Sequence, residues 1–195
     1  MSELRSAALV AFHDGRASAG ATEAWRAIQD NHRMNDLLWK EEDLARRRHA
    51  PDAEIAANKR AIDGYNQKRN DAIERIDEIL FKDLSRTGMK ENGPLNSETP
   101  GAMIDRLSIL SLKIHHMRLQ TERKDVERSH IEACVAKLSR LTEQRADLAA
   151  CLDRLLEECA RGEARFKVYR QFKMYNDPAL NPAVYGETRG EKKRP

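Results

Sequence analysis

The sequence predicts an all-α fold, an antiparallel bundle of four to five helices with long third and fifth members and a C-terminal strap. Composition is the first reason. Of 195 residues, 34% are charged and 5% aromatic, with 9 Gly and 6 Pro, a balance that belongs to long helices rather than to a β-sandwich. Periodicity is the second, because long stretches place apolar residues at alternating steps of four and three. Punctuation is the third, since capping residues stand at the ends of those stretches. The length suffices for one hydrophobic core, and we read residues 1–186 as a single domain followed by a polar disordered tail at 187–195.

The first helix covers about Glu3 to His13. The second opens at Thr22, whose hydroxyl suits an N-cap, and runs to about His49, where Pro51 stops it. The third follows Asp52 and reaches about Leu84, along a seam of Ile55, Lys59, Ile62, Asn66, Arg69, Ile73, Ile76 and Leu80. Ser85 to Ser97 holds Gly88, Gly93 and Pro94 and is a loop. The fourth helix starts with Thr99 as N-cap and Pro100 in the first turn and lasts to about Glu122, with Met103, Leu107, Leu110, Ile114 and Met117 on its apolar face. The fifth follows Asp125 and ends near Arg161, with Gly162 as C-terminal cap. Its seam is Ile131, Cys134, Leu138, Leu141, Arg145, Leu148, Leu152 and Leu155. Helices this long with short connections pack against one another as a bundle.

Charge excludes some functions. The 35 basic and 32 acidic residues leave a formal net charge of +3, too small a field to steer the chain onto nucleic acid or an anionic surface. The basic clusters, Arg46–Arg48 and Lys192–Arg194, are short and read as solvated helix or chain ends. No stretch approaches the roughly 20 apolar residues of a membrane helix, so no membrane insertion is expected. The apolar run Ala7–Phe12 is too short for a signal peptide and has no basic segment before it. Three cysteines, Cys134, Cys151 and Cys159, fall on one helix. The last two stand about 12 Å apart at the helical rise, beyond disulfide reach. Free thiols and a cytoplasmic location are the expectation.

Polar residues interrupt the seams, and a buried unpaired charge costs several kcal/mol. Lys59, Asn66 and Arg69 occupy core positions of the third helix, and Arg145 one of the fifth. Glu42 and Arg46 continue the face of Trp25, Ile28 and Trp39 on the second. Asp63, Glu42 and Asp105 are the nearby acids. Two readings stay open. The charges are internal ion pairs that set helix register, or they line a pocket in which Lys59, Asn66, Arg69, Arg106, Lys113 and Arg145 hold an anionic small molecule by paired hydrogen bonds. Asp105, Ile109, Lys113 and His116 follow one stripe of the fourth helix. A carboxylate beside an imidazole orients a general base, which makes His116, Asp105 and Glu42 the catalytic candidates. Glu127 and His130 form one E-x-x-H step, but a dinuclear carboxylate bundle needs two such steps plus two further carboxylates. No metal and no cofactor is therefore assigned, and no phosphate-binding glycine loop or nucleophile-elbow pattern is present.

Several strings are distinctive together: Trp39–Asp43, Ile62–Asp63, Asn66–Asp71, Glu74–Asp77, Asn96–Pro100, Ile104–Met117, Gln144–Leu148, Tyr169–Pro178, Asn181–Pro182 and Tyr185. In them the chain, from about residue 22 onward, resembles a bacterial family defined only as a domain of unknown function, number four-two-five-four. One departure is Lys40, where many relatives are expected to carry histidine. The resemblance implies a bacterial cytoplasmic protein. It carries no established activity. It also implies a setting, since relatives are often encoded beside glycosyltransferases of lipopolysaccharide and other surface glycans. That setting tilts the ligand toward phosphorylated sugars or nucleotide sugars. It equally admits a non-catalytic adaptor that binds a glycosyltransferase or associates with itself. Asn96–Pro100 is then either a plain cap or an anion-binding helix start. Tyr169–Tyr185 is either a strap pinned on the bundle or a cover that brings Lys173 and Tyr175 to a ligand.

Overall fold

The computed structural model describes residues 4–172 and 179–181. Five helices follow one another: α1 (Ser6–His13), α2 (Glu23–Ala45), α3 (Asp52–Thr87), α4 (Pro100–Thr121) and α5 (Arg128–Arg161). The caps read from the sequence are in place. Thr22 Oγ1 accepts from the Trp25 amide, and Thr99 Oγ1 from that of Ala102 with Pro100 opening α4. Gly162 closes α5 in the left-handed region at φ 74°. Several boundaries move: α1 begins at Ser6 rather than about Glu3, and α5 at Arg128 rather than just after Asp125. α2 stops at Ala45 rather than His49, because the Arg46 and Arg47 amides turn back to the Asp43 and Leu44 carbonyls. α3 continues to Thr87, its terminal hydroxyl bonded to the Asp83 and Leu84 carbonyls.

α2 with α3 and α4 with α5 form two antiparallel hairpins. They lie side by side with α2 and α4 running the same way, since Asn31 meets Asp105, Asn35 meets Ser108 and Trp39 meets His116. At about 1.5 Å per residue, α3 and α5 outrun their hairpin partners by several turns. Those overhangs carry the core: Ile76, Leu80 and Leu84 of α3 pack with Leu148, Leu152, Leu155 and Cys159 of α5, joined by Leu9, Ile28, Met103, Ile104 and Leu107. Burying each such Leu or Ile is worth about 1.5–3 kcal/mol. α1 lies across α4 and α5, anchored where Asp153 accepts from the Ser6 amide (2.9 Å) and hydroxyl (2.7 Å) and where Arg5 pairs with Glu157.

α3 also secures the start of α4. Asp77 Oδ1 accepts the Gly101 amide at 2.6 Å, the approach made possible by the missing side chain: a Cβ on Gly101 would stand 2.6 Å from the Ile73 carbonyl oxygen. Beyond Gly162, residues 163–172 begin the C-terminal strap. Arg165 pairs with Leu95 as an isolated bridge, buried Phe166 meets Phe81 edge-on at 5.9 Å, and Arg170 binds Glu74 (2.8 Å) and Glu78. Tyr169 is exposed, so Phe166 is the aromatic that fixes this part of the strap. Lys173, Tyr175 and the 187–195 tail lie outside the described residues.

Candidate functional site

The seam cations separate once the helices are placed. Lys59 projects from the outer part of α3, its side chain 59% exposed and 3.9 Å from Glu42, which also holds Arg46 at 3.0 Å. Its core position is corrected: along residues 52–69 of α3, Ile62 alone is fully buried. Asn66 and Arg69 are half-buried, while Asn70 and Asp77 are the polar residues that α3 buries. Arg69 Nε is enclosed without a hydrogen-bond partner. Arg106 is exposed and paired with Glu98 at 2.5 Å. Arg145 is the cation that does go inside, its side chain 12% exposed.

The expected Asp–His pair is corrected as well. Asp105 and His116 stand eleven residues apart on one straight element, about 16 Å along its axis. Asp105 instead accepts from Asn31 Nδ2 and Asn35 Nδ2, each at 2.9 Å. Asn35 Nδ2 also reaches Ser108 Oγ (3.0 Å), and Ser108 Oγ lies 2.8 Å from His32 Nδ1. The Ser108 hydroxyl can donate to Nδ1 or accept from it, so the direction of this bond follows the tautomer of the neutral imidazole. Burial lowers the His32 pKa and favours that neutral form. His13 of α1 stacks at a tilt on His32, ring centroids 4.8 Å apart, with Phe12 beside both. Below them Arg145 Nη1 donates to Asp14 Oδ1 (2.6 Å) and to Ser111 Oγ (3.2 Å). A polar layer thus runs from Asp105 to Asp14 between α1, α2, α4 and α5.

A second feature faces solvent. An open groove of about 580 Å³ runs between α2, α4 and α5, next to the polar layer. Trp39 and His116 stack flat along its wall, centroids 4.3 Å apart and planes within 6°. Lys113, Lys137 and Arg140 surround it, and among the described residues none of the three makes an ion pair or a side-chain hydrogen bond. Asp43 is the acid on the rim, 3.8 Å from Arg46. Burial, then the neighbouring His115, lowers the His116 pKa. Of the residues expected at a ligand, this groove contains Lys113 and His116. Among the described residues, no group of three or more His, Cys, Asp or Glu is placed to hold a metal ion, and no helix is long and apolar enough to cross a membrane.

Residues 25–168 match the family model described as a protein of unknown function, DUF4254. The chain belongs to this family. No curated protein and no solved structure matches it. The DUF4254 segment runs from α2 into the strap, so it contains the groove and every wall of the polar layer except α1.

Sequence reasoning found Arg145, Asp105, Lys113 and His116 in the DUF4254 domain but missed Asn31, His32, Asn35, Ser108 and Ser111. A signal was available. Ile28, Asn31, Asn35 and Leu38 keep the four–three stepping of a buried face, as do Ile104, Ser108 and Ser111 on α4. His13, Asp14, Lys137 and Arg140 had no such mark, since their roles depend on how helices far apart in sequence dock.

Proposed function

We propose that this DUF4254 protein binds an anionic, phosphate-bearing small molecule in the groove between α2, α4 and α5, in the cytoplasm, as part of surface-glycan assembly. The observation that carries this reading is the set of three cations, Lys113, Lys137 and Arg140, gathered without counter-ions around the Trp39–His116 stack. Lysine and arginine are the ordinary partners of phosphate oxygens, and a flat aromatic wall beside them accepts a sugar ring or a base by its apolar face. The groove is of the size found for small-molecule sites. The glycan setting rests on the company that relatives keep, and a phosphorylated sugar or nucleotide sugar meets both the charge and the stack.

The test is a thermal-shift series with sugar phosphates, nucleotide sugars and nucleotides, run on the native chain and on the Lys137→Ala/Arg140→Ala double variant. Both side chains are exposed, so the variant keeps its core. A ligand at about 100 times its Kd stabilises the fold by roughly 2.7 kcal/mol. The reading requires at least one hit that the double variant loses. A panel without hits, or a hit undiminished by the two substitutions, overturns it. The alternative is then the adaptor, for which Leu44, Leu119 and Val135, exposed on α2, α4 and α5, offer apolar contacts to a glycosyltransferase or a second copy.

A further inference from the structure

The polar layer carries an inference independent of the groove. Its walls are Arg145, Ser111, Ser108 and His32, all within the DUF4254 segment, and its cover is α1, which precedes that segment. We propose that α1 is a displaceable plug over an anion site formed by Arg145, Ser111 and His32, with the Asp14 carboxylate standing where a carboxylate or phosphate ligand would sit.

Three features of the plug support this. The first is the ion pair itself. Arg145 is a guanidinium taken out of water, which requires an anionic partner, and the partner comes from the far end of the chain. Asp14 engages it through Nη1 alone, the same nitrogen that reaches Ser111. A guanidinium presents a two-pronged fork that a free oxyanion fills with two parallel hydrogen bonds. Asp14 also binds Arg16 at 3.0 Å, so its charge is shared. The protein's own carboxylate is thus an incomplete occupant of the site.

The second is His13. α1 carries this ring to 6% exposure beside His32, yet neither of its nitrogens finds a hydrogen-bond partner. Leaving a buried polar group unmatched costs about 1–3 kcal/mol. The plug therefore enters its seat against a standing penalty. Withdrawal of α1 returns His13 to water, uncovers the His32 ring on which it lies and frees Arg145, beside Ser111, for another anion.

The third is the tether. α1 is eight residues long and is held at its start by Ser6 and Arg5. It is followed by Gly15 in the left-handed region at φ 68°, then by Arg16-Ala17-Ser18-Ala19-Gly20-Ala21 before α2 begins. A link of mostly small residues lets the helix leave without unwinding α2; what departs from the core is buried Leu9 with the partly buried Leu4, Ala8 and Phe12, the last edge-on to Trp25.

The experiment uses the full chain with Lys137→Ala and Arg140→Ala present throughout, so that the groove contributes nothing. Inorganic phosphate and acetate are titrated by calorimetry, and hydrogen exchange of the Leu9–His13 amides is followed with and without each anion. The plug predicts at least tenfold tighter binding of phosphate, acetate or both after Asp14→Asn, because the apparent affinity scales with the fraction of open sites. It also predicts loss of that binding on adding Arg145→Gln, and faster exchange in α1 when anion is present. Should Asp14→Asn not fold, Ser6→Ala loosens α1 at its other end without touching Arg145 and must give the same gain. Whichever anion responds names the ligand's charged group. If neither variant gains affinity, or α1 exchange ignores the anions, Asp14–Arg145 is a structural ion pair and the plug is wrong.

Discussion

At the scale of single residues, the buried imidazole of His13 decides how the protein answers acid. Burial, reinforced by the nearby His32 and the Arg145 charge, lowers its pKa from 6.5 to about 3. The unfolded chain then binds a proton between about pH 6.5 and 3 that the folded chain refuses. Stability consequently falls as pH drops through that window, by up to about 1.4 kcal/mol per pH unit. The groups facing His13 are His32 on α2, Arg145 on α5 and Asp14 next to it in sequence. Chemical denaturation at pH 7 and pH 5 should show that His13→Phe is less destabilised by acid than the native chain. Equal losses would place the acid response elsewhere. Arg145 was legible in the sequence as a cation on an apolar seam. Its partner was not, because Asp14 reaches it across 131 positions through the docking of a helix too short to show a seam of its own.

At the scale of elements, the caps made the helices readable and the joints between helices did not. Thr22, Thr99-Pro100 and Gly162 announce boundaries by local hydrogen bonding that any reader of the chain can find. The bond from Asp77 of α3 to the Gly101 amide of α4 has no local signature: Asp77 reads as an ordinary polar residue next to Ile76. Burial raises its pKa to about 6, against the pull of its bonds to Thr99 and Gly101. The folded state therefore holds a proton between about pH 4 and 6 that the unfolded state has released, so this group favours stability at the acid side of that window and loses it as pH rises. Asp77→Asn keeps an acceptor for the Gly101 amide and should remove that part of the pH dependence. Asp77→Ala leaves the amide unmatched and should cost about 1–3 kcal/mol at neutral pH in a denaturation experiment. A harmless Asp77→Ala would mean that α4 starts without help from α3.

At the scale of the whole molecule, the bundle is unevenly built. The overhang end concentrates Ile76, Leu80, Leu84, Leu152, Leu155, Cys159 and Phe166, whereas the first half of α3 fully buries Ile62 and the first half of α5 Cys134. Lys59 shows what this means for reading a heptad: the stepping is continuous along α3, but a seam is buried only where a second helix lies over it. Hydrogen exchange should grade accordingly, with amides of residues 52–66 and 128–140 opening at lower free energy than those of 76–84 and 148–159. Uniform protection along α3 and α5 would contradict this picture. The all-α bundle itself was legible because it needs only the period of the apolar residues. The polar layer was not, because it exists only where two hairpins and α1 meet.

The side-by-side hairpins have one further consequence. α2 and α4 point their carbonyl ends toward the loops at 46–51 and 122–127, while α3 and α5 present their amide ends there. The four macrodipoles thus oppose one another in pairs, and the backbone adds little net field at that end of the molecule. The attraction felt by an anion approaching the groove comes from the Lys113, Lys137 and Arg140 side chains, all exposed to an ionic atmosphere whose screening length is about 8 Å under physiological conditions. Arg145, roofed by α1, is shielded from that atmosphere. The protein therefore presents one positive charge cluster that salt can dim and one cation that it hardly reaches.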